Sequence, residues 1–172
     1  MDKLQGQAHL FGDDISTDLI APGRYYHLRS NLPEFSKHVL EDADPEFPRK
    51  VRAGDMVVAG SNFGLGSSRE HAPAIMKMAG VSAVLAKSFA RIFFRNAINI
   101  GMPAVVCDTS AIKAGDELEL DLAAGRVRNV TQGTELSVSP LPQVMLRLLD
   151  DGGLVAHVKK HGRLAVEEES HE

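Results

Sequence analysis

Three short apolar runs at residues 56–59, 81–86 and 103–107 alternate with two stretches of helical periodicity, and this alternation limits the possible folds most strongly. The first helix is expected over about 68–79, closed by Gly80 at the C′ position. The second is expected to start at Ser88 as its cap, with Phe89, Ile92, Phe93, Ala97 and Ile100 on one face and Gly101 at its end. Strand, helix, strand, helix, strand with short links is the pattern of βαβ units, because a parallel strand pair needs a crossover. Residues 117–122, 126–130 and 135–138 alternate about Ala124-Gly125 and Gln132-Gly133, which predicts an antiparallel meander joined to the same sheet. Pro142 opens a last helix bearing Val144, Met145, Leu148 and Leu149, stopped by Gly152-Gly153.

The first fifty residues are more broken. A short strand is expected near residues 8–11, then a turn at Gly12-Asp13-Asp14 and a break at Pro22-Gly23. An exposed loop over 24–31 should be mobile, because its polar backbone has no evident pairing. Pro33 suits the first turn of a helix carrying Phe35, Val39 and Leu40, and a loop follows from 44 to 50. The expected fold is α/β, a mixed and largely parallel sheet with flanking helices, forming one domain over 1–164. The acidic residues 165–172 are expected to be a disordered tail.

With 44% apolar and 24% charged residues the chain can bury a core. Its net charge of −4 has no basic stripe, which argues against nucleic acid as the main partner. No apolar run is long enough to span a bilayer, and Met1-Asp2-Lys3-Leu4-Gln5-Gly6-Gln7 is not a secretory signal, so a cytoplasmic location is expected. The single Cys107 excludes an internal disulfide, and excludes an iron–sulfur cluster or structural zinc held by this chain's cysteines alone. It follows Pro103-Ala104-Val105-Val106 and reads as a small buried thiol. His157 and His161 share helical spacing, but with no third ligand nearby they read as surface residues and no metal site is assigned.

The chemistry concentrates in Gly64-Leu65-Gly66-Ser67-Ser68-Arg69-Glu70-His71, between a strand and a helix. Gly64 and Gly66 let the backbone approach a ligand, free N–H groups favour an anion, and Arg69 offers a planar fork for a carboxylate. Ser67 and Ser68 place hydroxyls at the same mouth. A Walker loop fails because Arg69 follows Ser68, and the third glycine of a dinucleotide fingerprint is replaced by Arg69. The hydrolase elbow Gly-x-Ser-x-Gly is absent, and His71 lies too near along the chain for a triad. On these residues alone, a capped turn and a functional anion site compete evenly.

The longer stretch from Asn62 through Ala72-Pro73, with Lys87-Ser88-Phe89-Ala90-Arg91-Ile92-Phe93 and then Asn96 to Gly101, resembles the aconitase-superfamily swivel domain. Ile15-Ser16-Thr17-Asp18 and Ala21-Pro22-Gly23-Arg24-Tyr25 resemble the first active-site loop of that family. The likeness covers residues 8–162, and the chain's length is similar to members whose large subunit is a separate polypeptide. It implies a β/β/α swivel fold and a hydro-lyase that moves a hydroxyl between adjacent carbons of a 2-hydroxy di- or tricarboxylic acid. By position Ser67 is then the base, Ser68 and Arg69 bind substrate, and Asp18 supports the site. The hydroxyl leaves to a [4Fe–4S] cluster that only the partner large subunit can hold.

Substrate choice in this family is read partly by the loop that here runs Arg24-Tyr25-Tyr26-His27-Leu28-Arg29-Ser30-Asn31. An apolar wall of Tyr25, Tyr26 and Leu28 suits isopropylmalate, whereas Arg29 matches an arginine that binds a distal carboxylate in homoaconitase-like members. Isopropylmalate is the first expectation and a homoaconitase-like or other substituted malate the second. A carboxylate-binding module without chemistry is the competing class. Arg91 and Arg95 are expected on the exposed face of their helix, with a site-facing Arg91 as the lesser alternative.

Overall fold

A computed structural model describes residues 2–163, so the tail at 165–172 lies outside the described residues. Among these, seven strands form one sheet in the order β4-β3-β2-β1-β5-β6-β7. The strands are β1 Leu4–Leu10, β2 Met56–Val58, β3 Ala83–Ala86, β4 Ala104–Val106, β5 Glu117–Asp121, β6 Arg126–Asn129 and β7 Thr134–Ser137. β1 to β4 pair in parallel, and β5 to β7 continue from β1 as an antiparallel meander. The expected mixed sheet is therefore found, with the parallel and antiparallel halves meeting at β1.

The helices are α1 Thr17–Ile20, α2 Leu32–Ser36, α3 Phe47–Lys50, α4 His71–Met78, α5 Arg91–Asn99, α6 Gln143–Asp150 and α7 Leu154–His161. α4 connects β2 to β3, and α5 connects β3 to β4, as the alternation requires. Both β2 and β3 are buried at every residue, which is why their sequences are continuously apolar rather than alternating. Their side chains still alternate between faces: Val57, Ala59, Val84 and Ala86 join one core cluster, and Met56, Val58, Ala83 and Leu85 join the other. α1, α2 and α4 cover the first face, while α6 and the meander close the second.

Four local readings need correction. The 44–50 segment contains α3, whose Phe47 is fully buried against His9 and Phe11; the two prolines hid a one-turn helix. Ser88 does not cap α5, because its Oγ accepts from Asn62 N–H at 2.7 Å and the helix starts at Arg91. α2 ends at Ser36, and Leu40 takes a positive φ of 54° to turn the chain. A further helix, α7, follows Gly152-Gly153, which reverses the chain rather than ending it.

Where β5 meets β6, Asp116 accepts from the Asn129 side chain at 2.8 Å, Gln132 at 2.6 Å and the Lys113 N–H at 2.8 Å. These bonds, that from Asn129 foremost, hold its carboxyl below its ordinary value. The folded value lies below the unfolded one, so this stabilisation is present above about pH 3.9 and fades as pH falls through the folded value. Asp116→Asn is expected to flatten the loss of unfolding free energy between about pH 5 and pH 2, read by urea denaturation. An unchanged acid limb would show that other carboxylates dominate it.

Candidate functional site

Backbone pairing brings the first loop and the glycine-rich loop together. Gly64 N–H donates to Ile15 C=O at 2.7 Å and Thr17 N–H to Leu65 C=O at 2.8 Å, a parallel bridge between two non-strand segments. Thr17 Oγ1 then donates to Ser67 C=O at 2.9 Å. On the other side Phe63 bridges Phe89, which ties the same loop to the start of α5. Ser67 is thus fixed from both neighbours although its own side chain is exposed.

Gly64 has φ +84°, and a Cβ there would stand 2.2 Å from the Phe93 ring. Only glycine allows both the backbone turn and the packing of buried Phe93 beneath the loop. A Cβ on Gly66, at φ +104°, would stand 3.4 Å from Thr17 Oγ1. Gly64→Ala should lower the unfolding free energy by about 2–4 kcal/mol through backbone strain and overpacking. Urea unfolding checks this, and a loss under about 0.5 kcal/mol would mean the loop is not so constrained.

Arg69 gathers the predicted residues. Its Nη2 lies 3.2 Å from Asp18 Oδ1, its Nη1 donates to Ala21 C=O at 2.9 Å, and its Nε donates to Ser67 Oγ at 3.2 Å. Asp18 is 64% exposed and Arg69 22%, so the ion pair adds little stability; it orients the guanidinium. A cleft of about 160 Å³ opens beside this group, lined by Thr17, Gly64, Gly66, Ser67, Ser68 and Arg69 from the loops. Arg91, Ile92, Phe93 and Asn96 of α5 line its other side.

The structure therefore brings together Ser67, Ser68, Arg69, Gly64 and Gly66, with Asp18 bound to them through Arg69. Two features differ from expectation. α4 begins at His71, so Ser67 and Ser68 sit on the loop three or more residues ahead of the helix, not in its first turn. Arg91 is exposed and also lines the cleft, the lesser alternative for its position on α5. No spacing rule reveals Arg91, because the Phe63–Phe89 bridge that turns α5's first residue toward the cleft is a tertiary contact.

Arg29 stands one residue removed. The 24–31 segment is not an unpaired loop: residues Gly23–Leu28 form a 3₁₀ helix, and Asn31 caps α2. Arg24 pairs with Asp42 and Tyr25 stacks on His38 at 3.6 Å. Arg29 donates to Tyr26 C=O at 3.2 Å and its guanidinium lies 4.9 Å from the centre of the Tyr26 ring. The Arg69 guanidinium lies 5.3 Å from that same ring, so Tyr26 links Arg29 to the Ser67 group. His71 meets Tyr26 edge-on at 5.9 Å, and its Nδ1 is buried with no hydrogen-bond partner among the described residues.

Among the described residues no helix is long and apolar enough to cross a membrane. A 3-isopropylmalate dehydratase small subunit 2 of Archaeoglobus fulgidus is 64% identical over 95% of this chain and 99% of its own length. A methanogen homoaconitase small subunit of Methanothermobacter thermautotrophicus is 52% identical over 91% of each chain. The crystal structure of 3-isopropylmalate dehydratase from Methanocaldococcus jannaschii superposes with a TM-score of 0.90 at 42% identity, covering 94% of this chain and 96% of that one. The family model described as the aconitase C-terminal domain matches residues 16–109, which hold every residue of the cleft. By these matches and by the fold, the chain belongs to the aconitase C-terminal domain family, among the small subunits of the 3-isopropylmalate dehydratases.

Proposed function

We propose that this chain supplies half of a dehydratase site, with Ser67 as the base and Arg69 as the carboxylate grip, and that a separate large subunit supplies the rest. The observation that carries the reading is the Arg69 Nε–H aimed at Ser67 Oγ at the lip of the cleft. A proton α to a carboxylate is very weakly acidic, so an alkoxide suits its removal better than a carboxylate base. A donor on Oγ favours the anionic form of the serine, and Arg69 carries a positive charge to the same spot. Ser67 takes the proton from carbon, Arg69 and Ser68 hold the substrate's carboxylate, and Asp18 keeps the guanidinium turned toward Oγ. Arg91, across the cleft, adds a second cation for a diacid.

The family's reaction also needs a Lewis acid for the departing hydroxyl, which a [4Fe–4S] cluster supplies. This chain does not fit such a cluster. Cys107 is its single cysteine, buried in the second core cluster, and burial pushes its thiol up to about 11. The cluster is therefore assigned to the large subunit. The buried, unpartnered Nδ1 of His71 beside the exposed Tyr26 supports a site that is finished by another surface.

Isopropylmalate is the first substrate reading. The second, a homoaconitase-like acid with a distal carboxylate, is favoured by Arg29, which shares the Tyr26 ring with Arg69. The test mixes this chain with its large subunit without oxygen and compares isopropylmalate with homoaconitate-series acids. On the first reading isopropylmalate is preferred and Arg29→Ala changes its kcat/KM by less than about tenfold. On the second, Arg29→Ala removes about 10–100-fold, selectively for the acid with the extra carboxylate. No turnover of any of these acids by the mixture would overturn both.

A further inference from the structure

The turn at Gly152-Gly153 brings the end of α6 against the exposed end of α7 and gathers three ligand-type atoms. Asp151 Oδ2 lies 2.6 Å from His157 Nδ1 and 3.0 Å from His161 Nε2. These three atoms all lie within 4.8 Å of one another. His157 is 1% exposed, the Asp151 side chain 8% and the His161 side chain 38%. His157 is thus not the surface residue that its spacing suggested; the third ligand comes from across the glycine turn.

We propose that Asp151, His157 and His161 form a binding site for a zinc-type divalent cation, held by Oδ2, Nδ1 and Nε2. Two histidines one turn apart share a helix face, and with a carboxylate they make the N/N/O set that suits zinc. Tetrahedral bonds of about 2.0–2.1 Å place ligand atoms about 3.3 Å apart, so the His161 contact must widen by about 0.3 Å and the His157 contact by about 0.7 Å. The exposed His161 ring can supply the smaller movement, and the larger one falls on the Asp151 carboxylate, which must swing off the buried His157 ring. Lys160 donates to Oδ1 at 3.0 Å, which leaves Oδ2 for the rings and orients the carboxylate as an outer-shell partner does. The ammonium opposes a cation, but it is 66% exposed, so water screens its charge.

The site stands apart from the Ser67 cleft, and its test does not depend on the dehydratase reading. Cobalt, then zinc in competition, is titrated into the full chain without an affinity tag after chelator treatment. Visible ligand-field absorption and metal retained per chain are read. The expected result is one cobalt ion per chain, displaced by zinc. His161→Gln and Asp151→Asn should each weaken binding by at least the roughly 10–100-fold that losing an outer-shell partner costs. His161→Gln alters an exposed ring, so a folding failure of Asp151→Asn would not leave the question open. Retention below one ion per chain in the wild type, or unchanged binding in His161→Gln, would overturn the site and leave a hydrogen-bonded clamp in its place.

Discussion

Replacing Ser67 with alanine is expected to lower the turnover of the two-subunit dehydratase by about 10²–10⁴-fold, the range for losing a positioned base. The substitution removes one oxygen from an exposed loop residue, so the fold should be kept. The Arg69 Nε–H loses its acceptor, yet Asp18 and Ala21 C=O still hold the guanidinium. KM should therefore change little while kcat falls, the signature of an interaction made in the transition state. Equal rises in KM with kcat intact would make Ser67 a binding residue and displace it as the base.

Arg69→Lys is expected to reduce kcat/KM by about 10–100-fold, from the roughly 1.5–3 kcal/mol carried by hydrogen bonds to charged groups. Charge is conserved, so a large loss would come from geometry. Arginine reaches Asp18, Ala21 C=O and Ser67 Oγ with three nitrogens of one plane, which a single ammonium cannot do. Both KM and kcat should move, because on the proposed mechanism the same side chain grips substrate and faces the base. A lysine enzyme within about twofold of wild type would reduce Arg69 to a source of positive potential.

The βαβ core was legible because buried parallel strands and their crossover helices leave apolar runs and glycine stops of fixed length. The meander was legible from its period-two pattern, seen in the buried Leu118, Leu120 and Val127. The one-turn helices α1 and α3 left no periodicity to read, and α7 was hidden because a Gly-Gly pair ends one helix and admits another equally well. In the site, Ser67, Ser68, Arg69 and the two glycines stood out as a contiguous motif. Asp18 was visible through family resemblance, and its ion pair with Arg69 now places it. Tyr26 reads from the sequence as part of the apolar wall of the substrate loop and Arg91 mainly as exposed helix surface; their places beside the Ser67 group were not legible. Their positions depend on the Phe63–Phe89 bridge and on a 3₁₀ turn whose hydrogen bonds no local pattern announces.

The most direct test of Ser67 as the base follows the proton itself. The two subunits, joined without oxygen, are given isopropylmalate in deuterated water, and deuterium entering the recovered substrate at carbon is measured beside substrate affinity. Wild type should incorporate deuterium, whereas Ser67→Ala should bind the acid with similar affinity and incorporate it at least about 100-fold more slowly. Exchange at the wild-type rate without Ser67 would contradict the account and place the base on the other subunit.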